Sequence, residues 1–153
     1  MDLSRVSIRP AEPGEVGALT DLALRSKASH GYDEDFMARA ADELRVSRDY
    51  ITDHSVFVLD DGGTIGGFYG VTVEPPASDL DLLFVEPTSH GKGYGRLLFA
   101  HACEEARALG CRWMTIQSDP YAVAFYEALG AGRIGDSRSP STGRMLPLLR
   151  IDL

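Results

Sequence analysis

Apolar and polar positions alternate with two different periods along this chain, and the switches between them mark its elements. Ser7-Ile8-Arg9 reads as a short first strand, closed by Pro10 and the turn signal Glu12-Pro13-Gly14. Val16, Leu19, Leu22, Ala23 and Ser26 then recur at helical spacing, with Glu15 at the start and Arg25 and Lys27 in the last turn, the charge order that complements a helix dipole. Gly31 interrupts this helix, and Asp33 is placed to cap a second one with Phe36, Met37, Ala40, Ala41 and Leu44 on one face. Ser55 to Asp60 alternates and is rich in β-formers, Asp61-Gly62-Gly63 signals a hairpin, and Thr64 to Glu74 continues as a longer strand. Gly66, Gly67 and Gly70 weaken that strand, which implies a bulge or the close approach of another group. Pro75-Pro76 then breaks it.

Leu80 to Val85 is almost continuously apolar, the pattern of a central strand covered on both faces. After Glu86-Pro87 comes the glycine-dense hexapeptide His90-Gly91-Lys92-Gly93-Tyr94-Gly95, and then a helix carrying Leu97, Leu98, Ala102, Glu105, Ala106 and Leu109 that ends at Gly110. Arg112 to Ser118 reads as another strand, parallel to the preceding one if the helix is a crossover. Asp119 caps a helix beginning at Pro120 and ended by Gly130. Ala131 to Asp136 and Leu146 to Asp152 complete the set as two strands joined by a polar loop. Strands grouped around a helix pair and one crossover indicate an α+β fold with a sheet of mixed direction. The 153 residues suit one domain.

Composition narrows the functional classes. Fifteen basic against twenty-three acidic side chains give a net charge of -8, which opposes attraction to nucleic acid or to an anionic membrane. The N-terminus lacks the basic start and apolar core of a secretory signal, and no apolar run approaches the roughly 18 residues of a membrane span, so a cytoplasmic location is expected. Cys103 and Cys111 form no CxxC pair, and His30, His54, His90 and His101 share no metal-ligand spacing with a carboxylate or thiol, so no metal is expected.

The strand, glycine loop and helix from Asp79 to Gly110 carry the chemistry. At such a junction the first backbone N–H groups of the helix are free, the dipole adds positive charge, and glycines let an anion approach the main chain. A nucleotide P-loop requires G-x-x-x-x-G-K-[ST], but Lys92 is followed by Gly93. A dinucleotide fingerprint requires G-x-G-x-x-G, but Arg96 stands where its last glycine belongs. The stretch instead resembles motif A of the GNAT superfamily of acyl-CoA-dependent N-acyltransferases, [R/Q]-x-x-G-x-[G/A] after Val-x-Pro. Val85-Glu86-Pro87 precedes the loop, and His90, Gly93 and Gly95 fill its three positions, with His90 departing from the usual Arg or Gln. The stretch from Asp119 to Ala131 resembles motif B, N-x-x-A-x-x-x-Y-x-x-x-G-F, with Asp119 for Asn and Ala131 for Phe.

This resemblance implies a GNAT-like fold: a central, mostly antiparallel mixed sheet of about seven strands with a splayed parallel pair and about four helices. It implies acetyl-CoA as cosubstrate, its pantetheine arm bonded to the backbone of Phe84 and Val85 and its pyrophosphate surrounded by His90, Gly91, Lys92, Gly93, Tyr94, Gly95 and Arg96. Tyr126 stands at the general-acid position, and a backbone N–H, that of Val85, would polarise the carbonyl. Asp79 and Asp81 are alternative bases, expected on one side of the strand, and His30 is a third. Tyr32, Asp33 and Asp35 suit a cationic amine, whereas Arg138 and Arg144 suit a carboxylate. A small-molecule amine, zwitterionic if both signals count, is the acceptor these residues imply. An acyl-CoA-binding regulatory module without turnover and a protein N-acetyltransferase are the alternatives. Relatives pair through late strands, and Leu146 to Leu153 is the expected edge for a homodimer, with Pro147 suited to such a position.

Overall fold

The computed structural model describes residues 3–153. Seven strands form one sheet in the order β1-β2-β3-β4-β5-β7-β6. They are β1 (Val6–Pro10), β2 (Ser55–Asp61), β3 (Thr64–Glu74), β4 (Ala77–Val85), β5 (Trp113–Gln117), β6 (Gly132–Arg138) and β7 (Met145–Asp152). The helices are α1 (Val16–Ala28), α2 (Glu34–Leu44), α3 (Arg48–Asp53), α4 (Tyr94–Ala108) and α5 (Val123–Ala128). The strand pattern anticipates this sheet closely. The short helix α3 has too few turns to show a helical period and was not anticipated; Ser47 caps it, accepting from the Tyr50 N–H at 3.0 Å.

All neighbours pair antiparallel except β4 and β5, which the α4 crossover makes parallel. Helices cover both faces of the sheet. One core packs α4 and α5 through Leu98, Phe99, Ala102 and Tyr126 against Tyr69, Met114, Ile116 and Leu149. The other packs α1 and α2 through Leu19, Leu22, Ala40 and Leu44 against Val56, Val58, Phe68 and Leu82.

Leu80 belongs to the first core and Leu82 to the second, although residues two apart share a face in a regular strand. The register explains it: Val71 faces Leu80 and Gly70 faces Leu82, so Asp81 is the extra residue of a β-bulge. The bulge turns β4 just where its pairing with β5 ends, at Leu80 opposite Ile116. Beyond that point β4 runs on to Val85 without a neighbour on that side, and a cleft opens.

The three glycines of β3 each make room for a neighbour. A Cβ on Gly66 would lie 2.6 Å from the Tyr94 ring, on Gly67 2.8 Å from the Phe84 carbonyl oxygen, and on Gly70 2.6 Å from the Tyr50 hydroxyl. The expected dimer edge is corrected by the topology. β7 lies between β5 and β6, and Pro147 pairs opposite Asp136, so the free edge on that side of the sheet is β6.

Candidate active site

Two cavities meet in the cleft. The outer one, about 560 Å³, is lined by Leu83, Val85, the glycine loop, Phe125 and Tyr126. The inner one, about 170 Å³, is lined by Lys27, Glu43, Asp81, Phe84, Asp119 and Tyr126 among others. His30, Leu83, Ala122 and Tyr126 border both.

The loop is a cradle of backbone donors. Gly91 and Gly93 have φ of 87° and 82°, which L side chains rarely adopt, and Gly93 is the N-cap of α4. The N–H groups of His90 and Lys92 are spent within the loop, on the Pro87 and Ser89 carbonyls at 3.3 Å each. Among the described residues, the N–H groups of Gly91, Gly93, Tyr94, Gly95 and Arg96 have no acceptor. Five free donors at the start of a fifteen-residue helix suit a pyrophosphate. Gly95 has a different task, since a Cβ there would press on the Phe125 ring at 3.2 Å; its absence lets α4 and α5 approach closely. The Tyr94 side chain is buried and donates to Asp61, so only its main chain faces the loop. The Lys92 ammonium lies over the Tyr94 ring at 5.8 Å, and His90 is exposed at the rim. Arg25 anchors the start of the loop by pairing with Glu86 at 2.7 Å, and this bond holds the Glu86 carboxyl below its usual range.

The free edge of β4 supplies further backbone groups. The Glu86 N–H donates to the Gly66 carbonyl at 2.9 Å while Val85 faces Gly67, so Val85 is a non-hydrogen-bonded position of the β3–β4 ladder. Alternation then directs the peptide groups of Val85 and Leu83 away from β3, into the cleft. Phe84, expected to share that role with Val85, turns its own peptide groups to β3. The peptide groups of Leu83 face the open side instead.

Tyr126 sits where the cavities join. Its residue is 6% exposed, Phe99 and Phe125 pack edge-on against its ring at 5.4 and 5.1 Å, and among the described residues its hydroxyl has no hydrogen-bond partner. Burial, aided by the nearby Asp119 charge, raises the phenol well above its ordinary range. It therefore stays protonated.

The two acids of β4 have different surroundings. Asp79 lies in the paired part of the ladder and accepts from Thr115 opposite it. Asp81, at the bulge, lines the inner cavity, and both acids also line a shallow trough beyond it with Glu43 and Gln117. Asp81 is the one that lines the same inner cavity as Tyr126.

The expected acceptor residues separate. His30 stacks on Tyr121 at 4.9 Å and borders both cavities. Asp33 is a helix cap, accepting from the Phe36 N–H at 2.8 Å, and does not face the cleft. Arg138 donates to the Gly143 carbonyl at 2.7 Å, whereas Arg144 folds onto Tyr32 and Asp119, so the two arginines form no clamp. Sequence reasoning missed the cluster that Arg144 joins. Asp119 accepts from the Lys27 ammonium at 2.5 Å, the Tyr32 hydroxyl at 3.0 Å, the Tyr121 N–H at 2.9 Å and Arg144 at 3.4 Å. Burial alone would push the Asp119 carboxyl up, but these bonds together hold it below its usual range. The cluster ties α1, the loop before α2, the β5–α5 junction and the β6–β7 loop around the inner cavity.

A sequence model of the acetyltransferase (GNAT) family matches residues 14–131, which spans both the glycine loop and Tyr126. The chain belongs to this family. Solved GNAT structures agree in fold. A GCN5-related N-acetyltransferase from Rhodopseudomonas palustris is 19% identical with a TM-score of 0.83, covering 100% of this chain and 99% of its own. PaiA N-acetyltransferase from Thermoplasma acidophilum, solved with coenzyme A, is 16% identical with a TM-score of 0.80, covering 97% of this chain and 99% of its own. The ribosomal-protein-S18-alanine N-acetyltransferase from Escherichia coli is 21% identical with a TM-score of 0.72, covering 96% of this chain and 93% of its own. No similar sequence is found among curated proteins. The chain is thus a GNAT acyltransferase with the seven-stranded sheet and parted β4–β5 pair described above. Among the described residues no helix is long and apolar enough to cross a membrane, and no group of three or more His, Cys, Asp or Glu is placed to hold a metal.

Proposed function

We propose that this GNAT protein transfers an acetyl group from acetyl-CoA to a primary amine of a small molecule by direct attack on the thioester. The observation that carries this reading is Tyr126 at the junction of the two cavities: its ring is buried, and its protonated hydroxyl has no hydrogen-bond partner among the described residues. Acetyl-CoA occupies the outer cavity: its pyrophosphate rests on the five free N–H groups of the loop, and its pantetheine extends along Leu83 and Val85 as an added strand. The Val85 N–H donates to the thioester oxygen as negative charge builds there.

The amine enters the inner cavity, whose small volume suits a compact head group. Asp81 takes a proton from the amine, through a water where needed, and the neutral nitrogen attacks the carbonyl carbon. A C–N bond forms, the C–S bond breaks, Tyr126 gives the departing thiolate a hydrogen bond and then a proton, and the second proton shed by the nitrogen returns through water to the phenol. Asp79 is set aside as base because, unlike Asp81, it does not line the inner cavity. With Arg138 and Arg144 apart, recognition of an acceptor carboxylate loses its support. The acids Glu43, Asp81 and Asp119 outnumber Lys27 around the inner cavity and favour a cationic acceptor.

The trough of about 400 Å³ that continues past Asp81 favours a second reading, in which the amine is carried on a longer chain. The test is release of coenzyme A thiol from acetyl-CoA in the presence of small amines and, separately, of peptides with free N-termini. Turnover of small amines supports the first reading and turnover of peptides alone the second. Binding of acetyl-CoA with no amine-dependent release would contradict both and support a regulatory module.

A further inference from the structure

Asp81 is the extra residue of the β4 bulge, so no strand neighbour holds it in register. Its carboxylate is nevertheless fixed. The Tyr50 hydroxyl donates to Oδ2 at 2.6 Å, and the Thr72 hydroxyl donates to the same oxygen at 2.5 Å. Oδ1 accepts nothing among the described residues. Tyr50 is carried by α3, and its hydroxyl occupies the space that a Cβ on Gly70 would fill, 2.6 Å away. Gly70 is therefore a slot for this phenol and not a weakness in β3. His54 closes the arrangement from behind, its ring 4.5 Å from that of Tyr50 and its Nδ1 3.4 Å from the Thr72 hydroxyl. Burial, with the Asp81 charge beside it, keeps the Tyr50 phenol protonated and hence a donor.

We infer that Tyr50 and Thr72 are positioning residues for the acyl transfer: together they clamp one oxygen of Asp81 so that the other is presented to the acceptor's nitrogen. The chemistry requires such a device. A base on a strand bulge has two free torsions, and an oxygen misplaced by an ångström loses much of its effect. Two neutral donors on one oxygen fix the carboxylate without neutralising its charge, which a lysine or arginine in their place would do. The inference rests on the proposed role of Asp81.

The experiment measures kcat, KM for acetyl-CoA and thermal midpoint, with the best acceptor from a panel of monoamines, diamines, amino acids and peptides with free N-termini. The variants are Tyr50→Phe, Thr72→Val, Thr72→Ser, Gly70→Ala and Asp81→Asn. Tyr50→Phe and Thr72→Val should each lower kcat about tenfold, with KM for acetyl-CoA unchanged. Gly70→Ala, which displaces the phenol while leaving its hydroxyl in the protein, should do the same. Thr72→Ser should recover most of the loss, and Tyr50→Phe combined with Asp81→Asn should be no slower than Asp81→Asn alone. A purely structural role would instead lower the midpoint and spare kcat in the folded enzyme. If Asp81→Asn is slow but Tyr50→Phe and Thr72→Val turn over at the wild-type rate, the clamp is refuted and the base stands. If Asp81→Asn keeps the wild-type rate, or no amine is acetylated by the wild type, the base and the clamp are refuted together.

Discussion

Substitution of Gly93 separates two contributions that the glycine loop combines. Its φ of 82° lies in the left-handed region, but a Cβ built there meets nothing within 4 Å. Gly93→Ala therefore costs backbone strain and no steric clash, about 1–2 kcal/mol, which lowers the thermal midpoint by roughly 2–8 °C for a chain of this size. Gly93→Asp carries at least the same strain and adds a negative charge beside the free N–H groups of the loop. At about 5 Å from a pyrophosphate bearing two charges, the repulsion is roughly 1.7 kcal/mol at the dielectric of water and about 6.6 kcal/mol at an effective value of 20. The Asp variant should thus bind coenzyme A at least tenfold more weakly than the Ala variant, by about the 1.4 kcal/mol that a tenfold change represents. Calorimetric titration of coenzyme A into both variants, below their midpoints, measures the difference. Affinities within twofold of one another would show that the pyrophosphate does not lie on this loop.

Other consequences follow from the buried polar groups. Burial is the leading cause that raises the phenols of Tyr50, Tyr69 and Tyr126, so the unfolded chain releases these protons first, near pH 10. Their contribution is complete below that pH and is lost progressively as pH rises from there toward the raised folded values; the urea midpoint should be lower at pH 10.5 than at pH 8, and an unchanged midpoint would contradict the burial of these rings. Asp119→Ala leaves Lys27 and Arg144 together without their carboxylate, a loss of about 3 kcal/mol, seen as a fall of roughly 6–12 °C in thermal midpoint; a fall under about 2 °C would mean the cluster is solvated. Gly66→Ala drives a methyl against Tyr94, 2.6 Å away, and should destabilise by about 1–3 kcal/mol in chemical denaturation. No loss would mean that the Tyr94 ring yields freely.

The strands and the longer helices were legible because burial on one face or two imposes period 2 or 3.6 on the sequence. The glycines of β3 were legible as exceptions to strand propensity, though not the groups that explain them. Helix α3 was hidden by its brevity, and with it Tyr50. The bulge at Asp81 was hidden because an inserted residue in a nearly continuous apolar strand breaks no visible alternation. Leu83 was passed over for Phe84 because which peptide groups face the open side depends on register with β3, which a strand's own residues do not encode. Asp119 appeared only as a cap; its partners Lys27, Tyr32 and Arg144 are far from it in sequence, and their convergence is a property of the tertiary fold. Its replacement of the motif's asparagine was the one available signal. The arginine pair was misleading for a simple reason: Arg138 ends β6 and Arg144 precedes β7, so nearness in the chain does not make them point together.

The central claim is that acyl transfer occurs where the two cavities meet and that Tyr126 serves it. Replacing Tyr126 by Phe keeps the ring and its packing against Phe99 and Phe125 and removes only the hydroxyl. Thiol release and acetyl-CoA affinity, measured side by side on this variant and the wild type, should show unchanged affinity and turnover reduced by about 10². Wild-type turnover in Tyr126→Phe would contradict the account.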